Sequence, residues 1–227
     1  SKLNTMMFLQ YALWGAWLPV TARYLSASQS EGGLGFSGSE IGMILGLAGS
    51  VGAIFAPFIA GQIADRYFST EKILAFLVIT GGMVKWVTAS QTNYQSWLLL
   101  SILYSILYMP TLALSNSVAF HQMEEPSKQF APIRVLGSIG WIVAGLVIGF
   151  FAWEGNQTLK YSFYMSSAAS ALLGLYCFTL PNTPPKLAAN KRMSYREILG
   201  IDALSMLKDR GFLFFFIASI LICIPLA

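Results

Sequence analysis

The chain has 227 residues, of which 56% are hydrophobic and only 11% are charged. Soluble domains average about 45–50% apolar and about 25% charged residues, so this composition excludes an ordinary soluble fold. The net charge of +4 does not indicate nucleic-acid binding, because in a membrane protein the basic residues report which loops face the cytoplasm. The composition is typical of an all-α membrane protein.

The apolar residues form blocks about as long as the ~20 residues that a helix needs to cross a ~30 Å hydrocarbon core. They predict transmembrane helices at 6–26, 38–62, 71–90, 95–120, 131–152 and 160–180. We therefore expect a six-helix transmembrane bundle over 1–180 and a basic cytoplasmic linker with a short amphipathic helix over 181–210. The apolar run at 211–227 predicts the start of a seventh, truncated helix. We therefore expect this sequence to be a fragment of a longer protein. The alternative is a complete six-span protein with a frayed tail.

Lys and Arg are distributed unevenly between the two sets of predicted loops. The N-terminus and the even-numbered loops hold Lys2, Arg66, Lys72, Lys128, Lys186, Lys191, Arg192, Arg196, Lys208 and Arg210. The opposite side holds only Arg23 and Lys160. Because cytoplasmic loops are enriched in basic residues, this distribution predicts a cytoplasmic N-terminus.

A short motif closes the second predicted span, with Gly61 followed by the acid–base pair Asp65 and Arg66. It resembles the loop motif between the second and third helices of the major facilitator superfamily. That resemblance implies that Asp65 and Arg66 help to close the cytoplasmic side, and that Gly61 allows close helix approach. The residues 67–72 depart from the family's glycine and paired bases. Ordinary interfacial charges are the alternative.

The fifth span presents a cation, a hydroxyl and an aromatic ring on one helical face, since Arg134, Ser138 and Trp141 are spaced at i, i+4 and i+7. A guanidinium donates in a planar fork and an indole stacks on rings, so this face suits a ligand with hydroxyls and a flat surface. An arginine within a span marks a functional site by default. The alternative is that Arg134 reaches the cytoplasmic surface. The glycines expected to allow close packing of this helix are Gly137, Gly140, Gly145 and Gly149.

Two other spans carry polar or aromatic residues at helical spacing. These are Gln10, Trp14, Trp17 and Thr21 in the first span and Tyr104, Tyr108, Thr111 and Ser115 in the fourth, with Asn116 beside that stripe. Together with the fifth span they predict one shared cavity. Interhelical hydrogen bonding with aromatic belts at the membrane interfaces is the alternative.

Other ionisable residues give little indication of chemistry within the membrane. Lys85 lies near the outer end of the third span, and its long side chain is expected to reach the interface. All acidic residues fall in loops or at helix ends, so no carboxylate is available within a span to carry a proton. With one histidine and no metal-ligand cluster or phosphate-binding loop, the sequence indicates neither an enzyme nor a cofactor or metal site.

Three stretches together resemble the bacterial nucleoside:proton symporters of the major facilitator superfamily. They are FLQYALWGAW at 8–17, YMPTLALSN at 108–116 and PIRVLGSIGW at 132–141. The resemblance implies a nucleoside site at Arg134, Ser138 and Trp141, although the family usually has threonine and phenylalanine at the last two positions. Gln10, Trp14, Trp17, Tyr108 and Asn116 would line the cavity.

The family resemblance also implies partners and a location. The partners are a nucleoside, a proton, membrane lipid and a missing C-terminal half or second copy, in the bacterial inner membrane. The other half would hold the proton-coupling carboxylate. The fifth-span segment also resembles lactose permease, so a sugar:proton symporter half is one alternative. A truncated fragment that transports nothing is the other.

Overall fold

The structure is a computed structural model that describes residues 2–153, 158–185 and 206–223. Within these ranges the secondary structure is helical and contains no strand. The chain divides into two compact units, Ser1–Lys186 and Leu187–Ala227.

The first unit consists of helices joined by short links. Their bounds are α1 Lys2–Gly15, α2 Leu18–Ser26, α3 Gly38–Gly42, α4 Ala48–Arg66, α5 Thr70–Ala89, α6 Tyr94–His121, α7 Pro126–Phe150 and α8 Lys160–Cys177. A π-helical turn over Met43–Leu47 joins α3 to α4, so that one helix runs through Gly38–Arg66. Asn93 caps α6, its Oδ1 accepting the Ser96 N–H at 2.8 Å.

Among the described residues, 4 helices are long and apolar enough to cross a membrane. They are Gly38–Arg66, Thr70–Ala89, Tyr94–His121 and Pro126–Phe150. These helices confirm the predicted second to fifth spans, with ends shifted by a few residues. The first and sixth spans stay predictions, because α1, α2 and α8 do not reach the same length and hydropathy.

The first predicted span was expected as one helix over 6–26, and that expectation is wrong. The helix is interrupted at Ala16 and Trp17, between α1 and α2. Pro19, in the first turn of α2, has no N–H to donate to the Gly15 carbonyl, so the regular hydrogen-bond ladder cannot continue there. Trp17 and Val20 instead make tighter i→i−3 bonds, of 3.2 and 3.3 Å.

Helix α1 packs between α7 and α8, α5 packs between α6 and α8, and α4 packs on α6. Two predicted close approaches are present: a Cβ added at Gly140 would lie 2.2 Å from the Phe8 carbonyl oxygen, and one at Gly137 would lie 2.6 Å from Tyr11 Cδ2. The same prediction is wrong for Gly145 and Gly149 within the described residues, where an added Cβ meets no atom within 4 Å. Within the described residues, α7 is thus closely packed through glycine near its middle and not near its C-terminal end.

Small polar side chains on one helix donate to backbone carbonyls of the next. Ser166 Oγ donates to Leu13 O (2.7 Å), Ser167 Oγ to Gly82 O (2.7 Å), and Ser105 Oγ to Gly49 O (3.0 Å). Such bonds satisfy the hydroxyls without exposing them to lipid, and they require closely spaced helices.

Four segments meet at one end of this unit: the N-terminus, the α4–α5 link, the α6–α7 link and the segment after α8. The Thr70 N–H donates to the Thr183 carbonyl at 3.0 Å, and Gln122 Nε2 donates to Thr183 Oγ1 at 3.3 Å. Lys2 Nζ donates to the Thr179 carbonyl. At the other end, rings from α2, α6 and α8 pack together, with centroids 5.3–6.0 Å apart: Tyr24, Trp97 and Phe163.

The second unit is described over 206–223. It contains α9, Arg210–Cys223, whose start is capped by Asp209: the carboxylate accepts the Phe212 N–H at 2.8 Å. This is the apolar helix predicted from 211. The predicted amphipathic helix of the linker falls largely on residues 186–205, which lie outside the described residues.

The α1–α7 contact predicts different effects for two glycines on one helix. Gly140→Ala places a methyl group against backbone atoms of α1, and overpacking of this kind costs about 1–3 kcal/mol. Gly145→Ala fills open space and gains helix propensity. We expect a lower melting temperature in detergent for Gly140→Ala and an unchanged or higher one for Gly145→Ala. Equal melting temperatures for the two variants would contradict the packing described here.

Candidate functional site

Arg134 on α7 lies over a ring of α1. Its Cζ is 3.9 Å from the centroid of the Tyr11 ring, a cation–π distance. The guanidinium makes no hydrogen bond or ion pair with the described part of the chain. Its position is therefore set by stacking, and its N–H donors are available to a ligand.

The other two residues of the α7 face lie one and two turns further along the helix from Arg134. Trp141 meets Trp14 of α1 edge to face, with ring centroids 5.2 Å apart and planes at 84°. Gly15 makes this approach possible, because a Cβ there would lie 2.9 Å from the Trp141 Cα. Ser138, between Arg134 and Trp141, is exposed and has no hydrogen-bond partner in the described residues. The face thus offers free donors beside an anchored indole.

From Trp14 a series of ring contacts continues toward the opposite end of the unit. We call Tyr11, Trp14, Tyr108, Tyr104 and Trp17 the aromatic chain. Successive centroids are 6.2, 5.9, 5.4 and 5.4 Å apart, and the Tyr108–Tyr104 pair is stacked with planes at 9°. Trp17 Nε1 also donates to Tyr104 Oη at 3.1 Å. The aromatic chain joins α1 and the α1–α2 break to α6.

Lys85 does not reach the membrane interface, so that expectation is wrong. Its side chain points into the unit and is only 3% exposed. Its Nζ lies 3.5 Å from the Trp17 ring centroid and 3.7 Å from that of Tyr104, with Phe163 at 5.9 Å. The ring faces hold the side chain inside, since a negative π face attracts an ammonium group. Lys85 therefore lies at one end of the aromatic chain and Arg134 at the other.

A cavity of about 210 Å³ lies beside Lys85. Its lining includes Trp14, Trp17, Thr21, Lys85, Trp97 and Tyr104. It is formed by the region of the α1–α2 break together with the start of α4 and its preceding π-helical turn, α5 and α6. Trp14 and Trp17, two of the predicted cavity residues, line it.

Gln10 and Asn116, which were also predicted to line the cavity, are not among the residues that line this one. Gln10 is fully buried, its Nε2 donating to Thr111 Oγ1 at 2.8 Å and its backbone carbonyl accepting the Tyr108 hydroxyl at 3.2 Å. It therefore joins α1 to α6. Asn116 is half-buried on α6, and its Oδ1 is buried without a hydrogen-bond partner in the described residues. The Gln10 Oε1 is likewise without one.

The residues of the predicted closing motif lie in the last two turns of α4. Asp65 and Arg66 are both half-buried there. No described helix makes the close approach expected at Gly61, where an added Cβ would meet nothing within 4 Å. Among the residues described, no group of three or more His, Cys, Asp or Glu side chains could hold a metal ion.

Sequence reasoning missed three residues of this arrangement as site residues: Tyr11, Tyr104 and Lys85. Tyr104 is one of the residues at helical spacing in the fourth predicted span. Tyr11 lies three residues before Trp14, a spacing that places the two rings on one side of a helix. For Lys85 the available signal was a lysine inside an apolar segment. Helical spacing could not reveal that Trp17 and Tyr104 would cover it.

Comparison with known proteins agrees with this architecture. The family model described as nucleoside H+ symporter matches residues 1–227. The "Putative nucleoside transporter YegT" of Escherichia coli is 40% identical over 231 residues, covering 100% of this chain and 52% of that protein. The Escherichia coli nucleoside permease NupG is 31% identical over 226 residues, covering 97% of this chain and 51% of that protein.

A solved structure has the same fold. The crystal structure of the nucleoside transporter NupG (D323A mutant) superimposes with a TM-score of 0.80 at 29% identity, over 95% of this chain and 52% of that one. The chain thus spans about half the length of the relatives it matches. The match over its whole sequence and the shared helical fold place the chain in the nucleoside H+ symporter family.

Proposed function

We propose that this chain is the N-terminal half of a two-halved, proton-coupled nucleoside transporter of the bacterial inner membrane. In this proposal α1 with α2 and α8 form the first and sixth membrane crossings of a six-helix bundle. The halves of the complete protein rock about a site at their interface. Transport in such a protein is binding and release, and no residue acts as an enzyme's catalytic group.

The observation that carries the proposal is the α7 face with Arg134 and Trp141 anchored on α1 and Ser138 exposed between them. Ribose hydroxyls and base carbonyls accept hydrogen bonds, which Arg134 and Ser138 donate, and a base stacks on the Trp141 indole. Because Arg134 is held by a ring, its donors are oriented before the ligand arrives. Family membership supports the assignment, since the matched relatives are named as nucleoside transporters.

The remaining predicted residues have supporting roles in this proposal. Trp14 and Trp17 line the cavity beside Lys85, and Tyr108 backs Trp14. Gln10 and Asn116 contribute amide groups close to the same helices, and each has a buried oxygen whose hydrogen-bonding capacity is unused in the described half. The closing motif at the C-terminal end of α4 closes the cytoplasmic side against the second half; its residues are Gly61, Asp65 and Arg66.

Removal of the Arg134 guanidinium is expected to weaken nucleoside binding. A hydrogen bond to a charged group contributes about 1.5–3 kcal/mol, so Arg134→Ala raises the apparent KM for uridine by about 10- to 100-fold. Trp141→Ala is expected to raise it by a few fold through lost stacking. The measurement is exchange of radiolabelled uridine by the complete transporter in proteoliposomes.

Trp86 supplies a matched control, because it is also a tryptophan but is 54% exposed on α5 and packs on Tyr164. Trp86→Ala is expected to leave the KM for uridine unchanged. Competition by galactosides and by unlabelled nucleosides separates this proposal from the sugar alternative. Uridine exchange that is insensitive to both Arg134→Ala and Trp141→Ala would refute the assignment.

The predicted orientation can be tested with two exposed link residues. Thr92 lies in the α5–α6 link and Glu124 in the α6–α7 link, at opposite ends of α6. In intact cells, a maleimide that cannot cross the membrane is expected to label Thr92→Cys and not Glu124→Cys. Permeabilisation should expose the second site. The experiment uses a Cys223→Ser background, and the other cysteine of this chain, Cys177, is fully buried. The reverse labelling pattern would place the N-terminus outside.

A further inference from the structure

Lys85 is a buried lysine that has no assigned role in the proposed nucleoside site. It lies four residues before the end of α5, in the part of the unit opposite the closing motif. Its ammonium group makes no hydrogen bond and no ion pair with any described residue. Within the described residues it lies over the faces of aromatic rings.

The surroundings of Lys85 contain no acid within the part of the chain that the structure describes. From α6 it faces Tyr104, whose hydroxyl already accepts the Trp17 N–H, and from the α1–α2 break it faces Trp17. From α8 it faces Phe163. Tyr104 is thus the titratable group in contact with it. The described carboxylates lie at the two ends of the unit or in the second unit.

Two opposing effects act on the charge of such a lysine. Burial in an apolar unit opposes the ammonium form, whereas two ring faces at 3.5 and 3.7 Å stabilise it. Loss of the proton removes the attraction to both rings and leaves a neutral amine beside them. Trp17 and Tyr104, which line the 210 Å³ cavity, would then keep only their own hydrogen bond and ring contact.

Building on the proposed function, we propose that Lys85 is a proton-binding site of this half, which takes up and releases a proton in each transport cycle. When Lys85 is charged, it holds Trp17 at the α1–α2 break against Tyr104 of α6. When it is neutral, this contact is weakened to its own hydrogen bond and ring contact, and the cavity wall on that side can rearrange. Lys85 thus acts as a positioning residue for the aromatic chain, and Trp14 connects that chain to the nucleoside face.

The test compares Lys85→Arg with Lys85→Gln in the complete transporter, reconstituted in proteoliposomes. Arginine keeps the charge and the ring contacts but does not release its proton. Glutamine removes the charge in a side chain of similar size. Two activities are measured: uridine exchange, which requires no net proton movement, and uridine accumulation driven by a pH gradient. Lys72→Arg is the control, because Lys72 is an exposed lysine in the first turn of the same helix.

We expect uridine exchange in Lys85→Arg to remain close to that of the unmodified protein. Steady-state accumulation should fall by about tenfold at a gradient of about one pH unit, because the Lys85 proton is coupled in addition to that of the carboxylate expected in the other half, and each coupled proton contributes one factor of ten per unit. Lys85→Gln should show the same loss of accumulation, and Lys72→Arg should show none. The pH dependence of accumulation should become shallower in both Lys85 variants.

Other outcomes overturn the inference. If Lys85→Arg accumulates uridine as the unmodified protein does, Lys85 is a fixed cation. If Lys85→Arg loses exchange together with accumulation, Lys85 has a packing or ligand-contact role. Absence of uridine exchange in the unmodified protein would instead refute the proposed function, and this inference would fall with it.

Discussion

Two cations inside this helical unit are stabilised by aromatic rings. A charged side chain at the centre of a bilayer costs about 2.5–3.5 kcal/mol on insertion scales, and a desolvated cation–π contact returns about 2 kcal/mol. One ring therefore offsets most of the cost for the half-buried Arg134, and two are needed for the buried Lys85. Tyr11, Trp17 and Tyr104 must be placed accurately for either cation to stay inside.

This requirement explains much of the packing around α1. Tyr11 can lie over Arg134 only if α1 approaches α7 closely, which the glycines at 137 and 140 permit. Trp17 reaches Tyr104 and Lys85 from the break that Pro19 imposes between α1 and α2. Hydroxyl groups of α6 and α8 then fix the neighbouring helices to each other through backbone carbonyls. The aromatic chain is thus part of the structural core as well as of the proposed site.

The same contacts connect the two proposed functions. The nucleoside face on α7 touches the aromatic chain through Trp14, and the proposed proton site touches it through Trp17 and Tyr104. In this proposal, a change in the charge of Lys85 is transmitted to the proposed nucleoside face by rings in direct contact. The cavity beside Lys85 provides the space for such a change, since a close-packed core would resist it.

The sequence predicted the helical class and four of the spans, because hydropathy is a local property of the chain. Helical spacing also placed Arg134, Ser138 and Trp141 on one face of α7, and their role as a ligand site stays a prediction. It did not predict the break at Ala16 and Trp17, although Pro19 was a visible signal whose effect on the Gly15 carbonyl could have been derived. It also placed Lys85 at the interface. That error arose because the rings that cover Lys85 come from Trp17 and Tyr104, distant in sequence, and helical spacing carries no information on contacts between helices. The unequal packing of Gly140 and Gly145 depends in the same way on where α1 crosses α7.

The most direct test of the central claim is a structure of the complete transporter with uridine bound. We predict that the uracil ring stacks on Trp141 and that a nitrogen of Arg134 lies within about 3.2 Å of a ligand oxygen. We also predict that Tyr11 remains stacked under the guanidinium. Uridine bound away from α7, with Arg134 paired to a carboxylate of the second half, would contradict the account.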